Sequence, residues 1–288
     1  MVSIIITTFN RPKLLERALK SALNQTYKDY EVIVVDDCSD IPVEANGVRI
    51  IRHEVNKGLS ATRNTGIKAA KGKYVVCLDD DNELYPTFLE KTIQEIEKYS
   101  FSYSTFSGYD AVAVGRVIQY KDFADYVVPH IGGLSAIDWG WLIKKSVFDE
   151  IQYDESLRAN EDTDFGIQFF KKFKAVQLNE SLTIAYDSEN PKDSLSFPNE
   201  RELEGMMRFF KKNFHEYDES KEKWCLYRLM GRKFYRGGQR LKGLGYFWKG
   251  FWAYKTPRSL THALVIMLGW NVYDIFMTCE EKLAARYR

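Results

Sequence analysis

Cysteine and histidine are the scarce residues of this 288-residue chain, four of each. Cys38, Cys77, Cys225 and Cys279 lie far apart with no C-x-x-C spacing, so neither a zinc site nor a disulfide framework follows. Small buried hydrophobes in a reducing cytosolic compartment are the expectation. His53, His130, His215 and His262 show no ligand spacing and read as structural or incidental. Long apolar runs are missing too. Residues 263–268 form the longest candidate, far below the roughly 18 residues that a membrane span needs. The N-terminal run 2–6 is too short for a signal core and is β-branched, which marks a strand. Internal repeats and low-complexity tracts are absent.

A hydrophobic content of 45% beside 28% charged residues excludes wholesale disorder, and 288 residues suffice for one large domain or one domain with an appendage. Aromatics, at 15%, are abundant enough to suggest stacking surfaces or an apolar patch beyond the core. The net charge of +1 conceals a division. Residues 221–288 carry 14 Lys/Arg against 4 Asp/Glu, which leaves 27 against 36 for the first 220. A basic block on an acidic body points to an anionic partner for the block.

The N-terminal third alternates strand and helix. Residues 2–8, 31–35, 48–52 and 74–78 are β-rich and apolar. Asn10 is placed to cap a helix opened by Pro12, with Leu14, Leu15, Ala18, Leu19, Ala22 and Leu23 as its stripe. A second helix over 60–70 stops at Gly72, and a third starts at Pro86. Short connections between such elements mean an α/β domain with a mainly parallel sheet. Ligands bind such sheets at the carboxyl ends of the strands, where Asp37 and Asp79-Asp80-Asp81 fall. Three adjacent carboxylates repel one another, so either a cation sits there or the segment is a solvated acidic turn. A hard divalent ion completed by waters and substrate phosphates suits the first reading.

Further along, 101–120 reads as two strands divided at Gly108, and 131–141 as a Gly- and Trp-rich loop. Helices are expected over 145–150, 162–173, 202–214 and 224–240, with a polar loop at 188–200.

The segments 2–9, 31–39 and 56–64, the D-x-D run 78–82 and the acidic run 160–165 together resemble the family 2 glycosyltransferases, the inverting group with the GT-A fold. The resemblance covers roughly the first 185 residues, in family order. It implies a Rossmann-like α/β catalytic domain over 1–200, with a nucleotide-sugar half (1–100) and an acceptor half (101–200), followed by a helical extension over 201–288. It further implies Thr7, Phe9, Asp37, Asn56, Arg63, Asp79 and Asp80 around the nucleotide, with Phe9 where members often carry Tyr. Asp81 and Asp79 would serve a Mn²⁺ or Mg²⁺ ion. Asp162 is the implied general base, with Glu161 as second choice; the competing reading is that both simply charge a helix N-terminus. Trp139, Gly140 and Trp141 fall at the implied acceptor loop, with core packing as the alternative for each tryptophan. A UDP-sugar donor and a glycan or lipid-linked acceptor are the implied partners, and nucleic acid is not. Rival readings are a polyprenyl-phosphate sugar synthase and a catalytically silent nucleotide-binding scaffold.

Residues 224–254 interleave ten aromatics with seven basic residues. The mix fits a helical subdomain, or attachment of residues 224–288 to an anionic membrane surface on the inner face of the cell membrane. No nucleic-acid module is present.

Overall fold

The computed structural model describes residues 1–99, 102–113, 116–120, 141–186, 200–216 and 220–277. Those up to Tyr186 fall in one compact unit and those from Glu200 onward in another.

The first unit is built on a sheet in the order β3-β2-β1-β4-β8-β6-β9-β5, with β7 beside β6. Its N-terminal half is wholly parallel: β3 (Arg49–Arg52), β2 (Tyr30–Asp36), β1 (Val2–Thr8) and β4 (Tyr74–Asp79). These are the four expected strands, buried through β1 and most of β2 and β4 because helices cover both faces. Alternation along each strand sorts the core into two layers. Ile5, Ile33, Val35, Val75 and Cys77 pack with α2 (Leu59–Ala69) and α4 (Glu161–Lys172). Ile4, Ile6, Val32, Val34, Val76 and Leu78 pack with α1 (Pro12–Leu23) and α3 (Phe88–Lys98). Gly66 lets α2 lie against β1, since a Cβ there would collide with Ile5 Cγ2 and lie 3.2 Å from Val35 Cγ2.

Beyond β4 the sheet becomes mixed. β8 (Trp141–Lys144) runs antiparallel to β4 and β6, and β9 (Lys174–Tyr186) pairs parallel with β6 and antiparallel with β5 (Asn82–Leu84). Three expectations are corrected here. Gly108 does not divide two strands: it lies inside β6 (Ser102–Ala113), at a register shift against β9, where a residue without a side chain tolerates the bulge. β7 (Arg116–Tyr120) is the separate strand. Trp141 belongs to β8 rather than to a loop, and residues 145–149 form a 3₁₀ turn.

The second unit contains α5 (Glu200–Asn213), α6 (Ser220–Arg236), α7 (Arg240–Tyr254) and α8 (Pro257–Val265), followed by helical residues 270–277. The helix expected over 224–240 ends at Arg236: Gly237-Gly238 break it, Gly238 with a φ of +83°, and Arg240 opens α7. Met206, Met230, Phe234 and Tyr246 form one core cluster; Phe247, Ala263, Ile266 and Tyr273 form another. His262 is buried there, its Nδ1 2.8 Å from the Tyr273 hydroxyl, which makes it structural.

Candidate active site

Parallel register assembles the site. Thr8 pairs with Asp36 across β1 and β2, and Thr7 with Asp79 across β1 and β4, so three strand tips stand side by side. The chain departs from regular backbone after β1 and β2 and before α4. Asn10 after β1, Cys38 after β2 and Asn160 before α4 are the non-glycine residues with positive φ among those described, at 55°, 69° and 58°. Such conformations concentrate where surrounding contacts enforce a functional geometry.

Asn10 was expected to cap α1. Instead its Oδ1 accepts from the Asp40 N–H (2.7 Å) while its own N–H donates to Ser39 Oγ (2.9 Å), tying the β1 and β2 loops together. Arg11 takes the N-cap position, without a side-chain cap bond.

At the β2 tip, Asp36 is fully buried and paired with Arg52. Burial works against its ionised form, but hydrogen bonds from Ser39 and the Arg52 charge outweigh that and lower its pKa. Asp37 Oδ1 accepts from the Lys57 N–H (2.8 Å) and lies 2.7 Å from His53 Nδ1, and Oδ2 accepts from the Gly58 N–H (2.8 Å). Asp37 therefore shapes the 56–58 loop, and Asn56 Nδ2 reaches back to the Asp37 carbonyl (3.3 Å). His53 Nε2 meets Thr65 Oγ1 at 2.9 Å, so this buried histidine joins the β2 tip to α2. Sequence reasoning missed that role. The signal lay in the β2–β3 register: Asp36 opposite Arg52 sets Asp37 beside His53.

The β4 tip carries the three consecutive carboxylates. Asp79 accepts from Arg63 Nη2 at 2.8 Å, and Arg63 Nη1 donates to Glu161 Oε1 at 3.0 Å. Arg63 is 2% exposed. Its guanidinium joins the D-x-D tip to the first turn of α4 and lies 5.2 Å from the Tyr153 ring centroid. Asp80 accepts from Thr8 Oγ1 (2.7 Å), and Arg11 Nη1 sits 3.2 Å from both Asp80 Oδ1 and Asp81 Oδ2. Burial pushes the Asp80 carboxyl up to about 6, Arg11 and the Thr8 hydroxyl only partly opposing it. Asp81 is raised by burial and by the neighbouring Asp79 charge. Arg17 holds the Asp81 carbonyl (2.7 Å) and pairs with Glu83 (3.3 Å), behind the tip.

Asp162 lies in the first turn of α4 beside Glu161 and Asp164, and its Oδ1 accepts from the Thr163 N–H at 2.6 Å. Asp164, fully buried and bonded to Gln168 at 2.7 Å, is a carboxylate that sequence reasoning left without a role. Thr7 is buried and Phe9 is 41% exposed at the end of β1, leaving its ring open to stacking. Trp141, expected at the acceptor, is 4% exposed and packs edge-on to Phe169 with centroids 5.1 Å apart, so its faces serve the core. Trp139 and Gly140 lie outside the described residues.

No group of three or more His, Cys, Asp or Glu residues among those described is arranged as a metal cage. The oxygen-only set at the β4 tip fits a hard divalent ion that draws its remaining ligands from water and phosphate. It does not fit zinc, which would call for His or Cys.

A strand-tip D-x-D run, a basic clamp to an E-D element and a loop pinned by the β2 aspartate form one assembly. Residues 3–152 match the family described as Glycosyl transferase family 2. The chain belongs to that family. It is a glycosyltransferase that uses a nucleotide-sugar donor. It is 28% identical to the putative colanic acid biosynthesis glycosyl transferase WcaA of Escherichia coli over 255 residues, covering 80% of this chain and 87% of that one. It is 38% identical to the uncharacterized glycosyltransferase YwdF of Bacillus subtilis over 192 residues, 62% and 70% of the two chains. Among solved structures, S. aureus TarS 1-349 in complex with UDP-GlcNAc aligns with a TM-score of 0.63 at 18% identity, covering 92% of this chain and 84% of that one. At that identity the likeness establishes the fold, a mixed α/β GT-A arrangement.

Proposed function

We propose that this glycosyltransferase moves a sugar from a UDP-sugar to a hydroxyl of a glycan or lipid-linked saccharide, with inversion and with assistance from a divalent ion. The observation that carries the reading is the Arg63 clamp. By holding Asp79 at 2.8 Å and Glu161 at 3.0 Å, it puts the D-x-D tip and the residue next to Asp162 at one place.

In this reading the Phe9 ring stacks on the base and Asp37 offers a further acceptor position to a base N–H, since a carboxylate accepts about four hydrogen bonds. Asp80 faces the ribose. A divalent ion held by Asp81, Mn²⁺ or Mg²⁺, would neutralise charge gathering on the departing diphosphate. Asp162, in the first turn of α4, removes the acceptor hydroxyl proton. The acceptor oxygen then attacks the anomeric carbon on the face opposite the diphosphate, the C1–O bond to phosphate breaks, and UDP leaves.

Trp141 has no part in acceptor binding in this scheme, and the Trp139-Gly140 segment retains that proposed role. The C-terminal unit would hold the enzyme at an anionic membrane surface on the cytoplasmic side, near lipid-linked acceptors.

The test is Asp162→Asn, assayed for sugar transfer and for UDP binding by thermal shift. Transfer should fall about 10²–10⁴-fold with UDP binding retained. A nearly silent substitution would reject the hydroxyl acceptor and favour a lipid phosphate, which needs no base.

A further inference from the structure

The three carboxylates of the β4 tip are neutralised from within the chain, and the two arginines that do so differ. Arg63 is buried between Asp79 and Glu161 at 2.8 and 3.0 Å. Arg11 Nη1 lies 3.2 Å from both Asp80 and Asp81, and the Arg11 side chain is 20% exposed. Well-formed guanidinium–carboxylate bonds run nearer 2.7–2.9 Å. Arg11 also stands at the head of α1, in non-helical backbone (φ −131°, ψ 56°), immediately before Pro12. Its side chain is thus anchored at the rim of the site rather than within a helix.

We propose that Arg11 is the resident counter-cation of the Asp80–Asp81 pair, and that loading of the site exchanges this guanidinium for a divalent ion. This rests on the metal-assisted reading above. A dication approaching Asp81 meets the Arg11 charge and repels it, while the donor brings a diphosphate into the same space. Phosphate oxygens match the planar guanidinium fork of arginine. Arg11 therefore opposes the ion when it arrives alone and supports it when it arrives with nucleotide. It is a positioning residue: it holds the acidic tip in shape and passes to the diphosphate on loading.

The experiment is calorimetric titration of the full chain with Mn²⁺ alone, and with UDP in the presence of saturating Mn²⁺, for wild type, Arg11→Ala and Arg11→Lys. Arg11→Ala should bind Mn²⁺ alone about tenfold more tightly and UDP about tenfold more weakly; Arg11→Lys should stay near wild type for the ion. Opposite signs for ion and nucleotide are something that mere damage to the fold would not produce. Arg11→Gln, a shorter side chain that removes the charge but keeps an N–H donor, replaces the alanine variant if the latter does not fold. An ion affinity that is unchanged or weaker in a folded variant overturns the exchange. If neither wild type nor variants take up Mn²⁺ while UDP still binds, the exchange and the metal assistance fall together and the nucleotide-sugar assignment stands.

Discussion

Asp80 shows how single residues at this site carry opposing demands. Its carboxyl is nearly buried, accepts from Thr8 and faces Arg11, yet its pKa lies at about 6 against an ordinary 3.8. The folded chain therefore binds this proton more tightly than the unfolded chain does. The resulting stabilisation is present below about pH 4 and is lost as pH rises through about 6. Asp80→Asn should accordingly raise stability at pH 7 by up to about 3 kcal/mol, the gain shrinking as pH falls and vanishing near pH 4. Thermal melts across that range check it; a gain independent of pH would refute the assignment. Arg63 is the converse, a buried cation satisfied on two sides. Arg63→Ala leaves Asp79 and Glu161 without it and should cost about 3–5 kcal/mol, read as a lowered urea midpoint. Sequence reasoning singled out the carboxylates and Arg63, but not Arg11 or His53. Asp37, Asp79–Asp81 and Glu161-Asp162 stand out as acidic runs, whereas Arg11 and His53 sit in unremarkable local contexts. Their roles come from contacts 69 and 16 positions away.

Elements were legible where local pattern and tertiary demand agree. β1, β2, β3 and β4 are apolar runs bounded by turn residues, and α1 and α3 carry apolar stripes at helical spacing. β8 and β9 escaped notice for different reasons. β8 is four residues long beside a Gly-rich stretch, and β9 contains Lys174, Gln177, Asn179 and Glu180, which break the apolar pattern. Pairing with neighbouring strands, not propensity, makes them strands. The contact between α2 and β1 depends on Gly66, where an added methyl meets Ile5. In an exposed helix Gly→Ala gains about 1 kcal/mol. Here overpacking should reverse the sign, and Gly66→Ala should lose about 1–3 kcal/mol, read as a lowered urea midpoint.

At the scale of the molecule, the charge division reappears as two compact units, the acidic one holding the site. The aromatic and basic mixture of the second unit is largely an internal matter. Trp224, Phe234, Tyr246 and Phe247 are buried, Lys242 lies over Phe234 at 4.1 Å, and Arg228 over Trp224 at 5.3 Å. Exposed apolar surface lies elsewhere: Leu264, Met267, Leu268, Val272 and Ile275 fall within one short segment, with Trp252 exposed as well. Among the described residues no helix is long and apolar enough to cross a membrane. A surface that pairs this strip with the basic excess should bind vesicles containing anionic lipid and bind neutral vesicles weakly. Leu268→Glu with Ile275→Glu should cut that binding about tenfold in a sedimentation assay. Equal binding to neutral and anionic vesicles, or a silent double substitution, would remove the membrane reading.

The sequence alone determined the alternation of strand and helix, the acidic strand tips and the family, because each is written in contiguous residues whose pattern is local. Only the tertiary structure decided which cation faces which carboxylate, that Trp141 is core, and where the second unit leaves apolar surface bare. Those outcomes depend on register and packing between segments far apart in the chain, and no short window contains both partners.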